Sequence, residues 1–182
     1  PAPGGGGRGP AGGAGRGRGT LGDTGLNTRT GGRIRGIEPY GKGETCMMTY
    51  GDGVSNVDLD ALVKFHESHG KIATITTVNI GQVKGVLDID QDNNITSFRE
   101  KDDNDGSLLK GGFMVLNPEI FQYLDGDDTI FERTPMQRLA AEGQLKSFYH
   151  DGFWQCMDTQ RGMKKLEELW QSGKDPWKIW DK

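Results

Sequence analysis

Two aspartates in the sequence have the residue type and setting of a cation site. Asp52 lies between two glycines in "YGDG", directly after the apolar run "TCMMTY", and Asp158 closes the strand-like run "GFWQCMD". Paired carboxylates with few other ligands suit Mg²⁺, which prefers oxygen donors and is usually completed by water and substrate phosphates. The pattern predicts a Mg²⁺–phosphate site at this pair, with an ordinary Asp-Gly turn as the alternative for Asp52.

Glycines and basic side chains that could meet a phosphate accompany the two aspartates. The glycines around Asp52 would let a bulky anion approach the backbone. Gly31, Gly32 and Arg33 could do likewise, because arginine and exposed N–H groups recognise phosphate and flat polar rings. Lys101 is a further basic residue of this predicted site.

Two other sets of ligand-type residues fit a metal poorly. "DIDQDN" (88–93) begins like a calcium loop, but Asn93 replaces the glycine at loop position six and Arg99 replaces the final glutamate. A solvated hairpin turn is the better interpretation. His66 and His69 are spaced i, i+3 with no third ligand nearby, and their place at a helix C-terminus favours cationic histidine.

Strand-like and helix-like segments alternate along the chain. "TCMMTY" (45–50) has the length and unbroken apolar character of a buried strand. Asp58 is a typical N-cap for a helix over 59–69 that Gly70 would end, and "KIATITTVNI" (71–80) is a second buried strand. This order predicts a right-handed crossover and a parallel sheet covered by helices, with ligands beyond the carboxyl ends of the strands.

The rest of the chain continues the mixed pattern. "VLDI" and "ITSFRE" alternate as in a hairpin, and prolines after Asn117 and Thr134 mark two helix starts. The other predicted elements are strands 111–116, 145–150 and 152–158, helices 117–124 and 134–143, and a final helix 160–172 that buries Met163, Leu166, Leu169 and Trp170.

Residues 1–19 differ from the rest, because they contain only Gly, Ala, Pro and Arg. Such a segment cannot bury enough apolar surface to offset the entropy of ordering, so we predict a disordered tail before a domain over 20–182. The net charge of −4 argues against a broad nucleic-acid surface. RNA binding by the tail arginines is a minor alternative, since no aromatic residue is interleaved with them.

Cysteine usage and hydropathy bear on location. Cys46 and Cys156 lie far apart and form no C-x-x-C motif, as expected of reduced thiols in a cytoplasmic protein. No apolar run approaches the ~18 residues of a membrane span, and no signal-like start is present. These features predict a cytoplasmic protein with no membrane partner.

Five segments together resemble the glucose-1-phosphate cytidylyltransferase family, whose members make CDP-glucose. They are "DTGLNTRTGGRIRGI", "TYGDGVSNVDLDALVKFHESHGK", "LNPEIF…DGDDTIFERTPMQRLAAEGQL", "GFWQCMDT" and "LEELWQSGKDPWKIW". The resemblance implies a doubly wound α/β fold of Rossmann-like type with a mostly parallel sheet. It also implies Mg²⁺-dependent attack of glucose-1-phosphate on the α-phosphorus of CTP, a place in lipopolysaccharide O-antigen biosynthesis, and a homo-oligomer.

The resemblance also assigns roles to residues of this sequence. Asp52 and Asp158 would hold Mg²⁺ and act in catalysis with Lys101, the lysine that holds the sugar phosphate. The remaining implied substrate contacts are Thr28, Gly31, Gly32 and Arg33 in the CTP-binding loop, Gly51 at the nucleotide, Glu100 beside Lys101, and Gly111 and Gly112 at the sugar pocket.

The chain also departs from the family pattern. The family's first strands and its G-G-x-G-T-R phosphate loop have no counterpart in it, so we expect weak catalysis and an uncovered edge at strand 45–50. Lys110 stands where the family has asparagine, Asp102 replaces a proline, and "QVKG" (82–85) replaces an arginine-containing stretch. The alternative function is therefore a non-catalytic sugar-nucleotide-binding or assembly module.

Overall fold

The computed structural model describes residues 19, 21–41, 43–79, 86–89, 95–99 and 109–179. In chain order they form α1 (Thr30–Gly36), α2 (Glu38–Gly41), β1 (Cys46–Met48), β2 (Gly53–Ser55), α3 (Leu59–His69), β3 (Ala73–Val78), β4 (Val86–Ile89), β5 (Ile95–Arg99), β6 (Leu109–Leu116), a 3₁₀ helix (Pro118–Tyr123), α4 (Thr134–Ala141), β7 (Leu145–His150), β8 (Trp154–Cys156) and α5 (Gln160–Gln171). None of the helices in these ranges has the length and apolar character that a membrane crossing requires.

A four-stranded sheet in the order β1-β6-β3-β7 forms the centre of the fold. Strand β6 runs antiparallel to both of its neighbours, and β3 pairs with β7 in parallel. Three of the four strands therefore point the same way, with β6 reversed between β1 and β3. The predicted α/β class with a mostly parallel sheet is confirmed, and the single reversed strand is what the sequence pattern left unspecified.

Helices cover the two faces of this sheet, because successive side chains of a strand point to opposite faces. On one face, Met114 and Leu116 of β6 belong to the main apolar core. That core also contains Ile34 of α1, Leu139 of α4 and the fully buried Phe131. On the other face α3 packs against β3 and β6. This two-sided covering is the doubly wound arrangement.

Helix α3 forms where its sequence predicts it. The Asp58 side chain accepts a hydrogen bond from the Ala61 amide at 2.9 Å and caps the N-terminus. Gly70 ends the helix in the left-handed conformation, with φ of 61°, which glycine adopts without steric cost. Leu62 and His66 form its buried face.

Two burial predictions are wrong. Strand β1 is not fully buried, since its Met47 is 47% exposed. Its outer position in the described sheet does match the predicted uncovered edge at strand 45–50. On α5 only Leu166 of the four predicted apolar residues is buried, while Met163 and Trp170 are each 53% exposed. Met163 and Trp170 lie three and four residues from Leu166 and flank it on the same face of the helix. Only the middle of the predicted apolar stripe is therefore buried, and α5 presents a narrower apolar contact than its composition predicts.

Two helix starts also differ from prediction. The segment after Asn117 is a 3₁₀ helix, and the Asn117 side chain makes no cap. Its amide instead donates to the Lys71 carbonyl at 3.0 Å, which ties the end of β6 to the start of β3. Thr134 is the first residue of α4 rather than its cap. In both cases proline still fixes the helix start.

The described residues also form two small antiparallel ribbons. Strands β4 and β5 pair as the predicted hairpin. Strands β2 and β8 pair with Gly53 opposite Cys156 and Ser55 opposite Trp154. The β2–β8 ribbon is the element that positions the predicted metal residues.

Candidate active site

The β2–β8 ribbon brings the two predicted metal-binding aspartates to the same end. The Met157 amide donates to the Asp52 carbonyl at 2.8 Å, one residue beyond the last paired strand positions. Asp158 follows Met157 directly, so it lies beside Asp52 although the two are distant in sequence. Both carboxylates are exposed. The structure thus places them as neighbours, as a shared cation site requires.

A cysteine that sequence analysis did not select lies next to both carboxylates. The Cys156 thiol donates to Asp52 Oδ2 at 3.4 Å. Burial, assisted by the negative charges of Asp52 and Asp158, raises the pKa of the Cys156 thiol. The sulfur therefore stays protonated near neutral pH and is a poor metal ligand in that form. Both cysteines of the chain are free thiols.

The donors at this place suit a hard cation that its substrate helps to bind. Within the described residues no group of three or more His, Cys, Asp or Glu side chains could hold a metal by itself. Two carboxylates fit Mg²⁺, which usually takes one or two protein carboxylates and completes its shell with water and substrate phosphates. Gly51 is exposed, and a side chain there would meet nothing within 4 Å. A phosphate could thus reach the site.

Two glycines of β6 form the wall beside the aspartates. Gly112 has φ of 85°, and a Cβ there would lie 2.9 Å from the Tyr50 ring. The Gly111 carbonyl accepts a hydrogen bond from Trp154 Nε1 at 2.8 Å, which joins the central sheet to the β2–β8 ribbon. The pairing of β3 and β6 is irregular at this point. The predicted sugar-pocket glycines therefore lie next to the Asp52 loop.

Glu132 links this wall to the loop before α1, and sequence analysis missed it. Its Oε2 accepts from the Thr30 hydroxyl at 2.7 Å, and its Oε1 accepts a short hydrogen bond from the Tyr50 hydroxyl. Burial works to raise the pKa of Glu132, but these two hydrogen bonds and the nearby Lys110 lower it. The same hydrogen bond adds to burial in raising the pKa of Tyr50. At neutral pH Glu132 is therefore an ionised carboxylate and Tyr50 a protonated phenol.

Lys110 is part of the same cluster. Its Nζ lies 3.8 Å from Glu132 Oε1 and 5.2 Å from the centroid of the Tyr50 ring. From the sequence, Lys110 puts a cation where the resembled family has a neutral asparagine amide. The structure instead gives that charge a carboxylate partner and an aromatic face, although half of the lysine side chain is still exposed. Lys110 is therefore not by itself evidence for a changed sugar pocket.

The first turn of α1 is arranged for packing more than for anion binding. A Cβ on Gly31 would lie 2.6 Å from the Thr129 side chain, and one on Gly32 would lie 2.6 Å from Asp127 Cα. The Gly31 amide donates to the Thr129 carbonyl at 2.8 Å. Our prediction that this amide is exposed for phosphate is wrong, because the neighbouring backbone occupies it.

Of the other predicted site residues, Thr28 and Arg33 contact their own neighbourhood in the fold, and the rest lie outside the described residues. Thr28 contacts the Gly32 position through its methyl group. The Arg33 guanidinium donates to Thr24 Oγ1 at 2.7 Å and to the Leu26 carbonyl at 3.3 Å, so it is held by its own loop. Glu100, Lys101, Asp102, "QVKG" (82–85), residues 90–94 and residues 1–18 lie outside the described residues.

A cleft of about 740 Å³ opens beside the ribbon. It lies between the end of β3, strand β8 and the start of α5, and its lining includes Val78, Trp154, Gln155, Arg161 and Lys165. An aromatic ring, an amide and two cations are groups that can contact a sugar phosphate.

The sequence matches the nucleotidyl transferase family over residues 35–159. Over 163 residues it is 46% identical to the glucose-1-phosphate cytidylyltransferase of Salmonella typhi, covering 89% of this chain and 63% of that protein. A probable glucose-1-phosphate cytidylyltransferase of Bacillus subtilis is 38% identical, covering 87% and 62%. The chain thus spans somewhat less than two thirds of the length of these relatives.

Solved structures share the fold at lower identity. A putative glucose-1-phosphate thymidylyltransferase from Bacillus anthracis, in complex with sucrose, superposes with a TM-score of 0.58 at 15% identity, covering 79% of this chain and 61% of that chain. HddC from Yersinia pseudotuberculosis superposes with the same TM-score at 22% identity, covering 80% and 64%. At these identities the likeness concerns the fold.

Proposed function

This chain belongs to the nucleotidyl transferase family, and from that membership we propose that it is part of an enzyme that makes CDP-glucose from CTP and glucose-1-phosphate. The two curated relatives compared above are named for this activity or probable activity. In the proposed reaction a phosphate oxygen of glucose-1-phosphate attacks the α-phosphorus of CTP. A new P–O bond forms, the bond from the α-phosphorus to the bridging oxygen breaks, and pyrophosphate leaves with that oxygen.

The observation that carries this proposal is the adjacency of Asp52 and Asp158. The hydrogen bond from the Met157 amide to the Asp52 carbonyl brings the two carboxylates together at an open, glycine-flanked loop. We propose that both hold Mg²⁺. The chemistry that such an ion supplies is neutralisation and orientation of phosphate groups. Because the Cys156 thiol is protonated, the carboxylate oxygens are the proposed ligands of the ion.

The protein's own groups would act mainly by positioning. We propose that Gly51 lets the nucleotide approach the Asp52 loop, and that Gly111 and Gly112 line the sugar pocket. Thr28, Gly31, Gly32 and Arg33 would shape the nucleotide side, with Gly31 and Gly32 acting through packing. Glu100 and Lys101 are proposed to hold the sugar phosphate.

Location and assembly are part of the same proposal. A CTP-dependent reaction suits the cytoplasm, where nucleoside triphosphates are made, and two free thiols are typical of that compartment. The product would feed the synthesis of O-antigen sugars. We also propose a homo-oligomer, which light scattering after gel filtration would test directly.

Ligand selectivity tests the proposed activity. We expect calorimetry with Mg²⁺ present to show tighter binding of CDP-glucose than of UDP-glucose or ADP-glucose. The product is a suitable probe because it contains both the nucleoside and the sugar that the proposed site would recognise. Pyrophosphate release from CTP and glucose-1-phosphate, compared with GTP and mannose-1-phosphate, measures turnover. Equal affinity for all three nucleotide sugars would contradict the proposal.

A further inference from the structure

Glu132 contacts three separate segments, each of which contains a predicted substrate-binding residue. Thr30 belongs to the first turn of α1, adjacent to Gly31, and its hydroxyl donates to Glu132 Oε2 at 2.7 Å. Tyr50 directly precedes Gly51 and donates to Glu132 Oε1. Lys110 directly precedes the glycines of β6 and lies 3.8 Å from the same oxygen. One carboxylate thus joins the nucleotide side, the aspartate loop and the sugar side.

The Glu132 side chain is held in place itself. It is only 19% exposed. The amide of the preceding residue, Phe131, donates to Thr30 Oγ1 at 3.0 Å, and Phe131 is fully buried in the core. Thr30 therefore receives a hydrogen bond from this segment and returns one to it. A group that is fixed by the core and contacts three separate segments is suited to set their spacing.

We propose that Glu132 is a positioning residue of the substrate site. Its carboxylate sets the distances between the first turn of α1, the Asp52 loop and β6. The inference rests on the proposed function. Removing the carboxylate charge would leave Lys110 without its partner and Tyr50 without a strong acceptor. The Asp52 loop and the Gly111–Gly112 wall would then separate, and both the nucleotide and the sugar phosphate would bind less tightly.

The chain contains a matched control for this cluster. Tyr123 donates to Glu142 Oε2 at 2.5 Å, and Arg138 Nε lies 3.8 Å from Glu142 Oε1. The Arg138 guanidinium also lies 4.7 Å from the Tyr123 ring centroid. The groups are the same as in the Glu132 cluster, namely a phenol, a carboxylate and a cation over the ring. This second cluster joins α4 to the 3₁₀ helix and contains no predicted site residue.

The experiment compares Glu132→Gln with Glu142→Gln in the full chain. Amide hydrogen exchange is measured without ligand, and the Kd values for CTP and for CDP-glucose are measured by calorimetry with Mg²⁺. We expect Glu132→Gln to speed exchange in residues 28–32 and 49–53 and to weaken both ligands by about tenfold or more, the effect of one charge-assisted hydrogen bond. Glu142→Gln should change neither quantity, although it loses the same kind of contacts.

A third variant separates positioning from general stability. Lys110→Gln removes only the cation on the sugar side, so it should weaken CDP-glucose while leaving the Kd for CTP within about twofold, which a global loss of stability would not do. If Glu132→Gln binds both ligands like the parent, or if Glu142→Gln weakens them equally, the positioning role is wrong. If the parent binds neither ligand, the proposed function fails, and the exchange comparison alone decides the role of Glu132.

Discussion

Asp52 and Met157 face each other across the end of the β2–β8 ribbon, joined by a hydrogen bond of 2.8 Å from the Met157 amide to the Asp52 carbonyl. This backbone bond is independent of the charges of the aspartate side chains. It therefore fixes the position of Asp158 relative to Asp52 before any cation binds. The backbone thus holds two like charges near each other, and both carboxylates are exposed to a ligand.

Neutralising one aspartate should stabilise the unliganded protein. Two neighbouring carboxylates repel each other, so we expect Asp158→Asn to raise the free energy of unfolding by on the order of 0.5 kcal/mol without Mg²⁺. Urea unfolding followed by circular dichroism measures this change. Asp151→Asn, which alters an exposed aspartate in the turn between β7 and β8, should have no comparable effect. A clear loss of stability in Asp158→Asn would show that the side chain has a structural role.

Glycine substitutions should separate packing from binding. Gly32→Ala would place a Cβ 2.6 Å from Asp127 Cα, and because backbone cannot easily move away, we expect a loss of about 1–3 kcal/mol in unfolding free energy. Gly51→Ala meets nothing within 4 Å. It should preserve stability and weaken nucleotide binding. Chemical denaturation of both variants, with calorimetry on Gly51→Ala, gives the comparison, and equal stability losses would contradict it.

The Cys156 thiol should react slowly with alkylating agents. Burial and the neighbouring carboxylates raise its pKa, so little thiolate exists at pH 8 and the thiolate is the nucleophile. Asp52→Asn removes one of these charges, which lowers the pKa and should speed alkylation several-fold. Mass spectrometry of iodoacetamide-treated protein resolves Cys156 from Cys46, the internal reference. An unchanged rate at Cys156 would mean that Asp52 does not influence the thiol.

The buried end of α3 should make stability depend on pH. The Lys71 amide donates to His69 Nδ1, so the proton of His69 lies on Nε2, which contacts Thr74 Oγ1 at 2.8 Å. The Thr74 hydroxyl can then donate to His66 Nδ1, also at 2.8 Å. His69 is therefore neutral in this chain of hydrogen bonds, and the prediction of a cationic histidine at this helix end is wrong for His69. Burial, followed by the influence of His66 and nearby lysines, lowers the pKa of His69.

The sign of the pH effect follows from that shift. Because the folded-state pKa of His69 is below its unfolded value of about 6.5, the unfolded chain binds more protons as pH falls below that value. The contribution of His69 to stability should be constant above about pH 7. It should decrease as the pH falls from about 6.5 to the lowered folded-state pKa. Unfolding curves at pH 7.5 and 5.5 measure the difference, which should be smaller in His69→Gln. An equal decrease in that variant would assign the effect to other groups.

Sequence patterns predicted local structure well where a single local interaction decides it. Asp58 and Gly70 mark the ends of α3 through a side-chain cap and a left-handed glycine, and both are readable from residue type. Burial was harder to predict. Met163 and Trp170 are apolar but exposed. The residue types show which side chains of a helix are apolar, but they do not show how wide a surface the helix packs against.

The proximity of Asp52 and Asp158 was predictable from sequence, whereas the contacts of the residues around them were not. Asp52 and Asp158 stood out because each follows an apolar strand-like run. Glu132 did not, since its contacts depend on three segments that meet only in the folded chain. Gly31 was read as a binding glycine, whereas its amide is taken by Thr129. From sequence alone, a glycine needed for close packing looks the same as one that lets a ligand approach.

The dependence of CDP-glucose affinity on Mg²⁺ tests the central claim most directly, namely that Asp52 and Asp158 form one cation site for a sugar nucleotide. Calorimetry is performed with and without Mg²⁺ on the parent, Asp52→Asn, Asp158→Asn and the control Asp151→Asn. We expect Mg²⁺ to tighten binding by about tenfold or more in the parent and in Asp151→Asn, and this gain to disappear in each of the other two variants. A gain from Mg²⁺ that survives both substitutions would contradict the shared site.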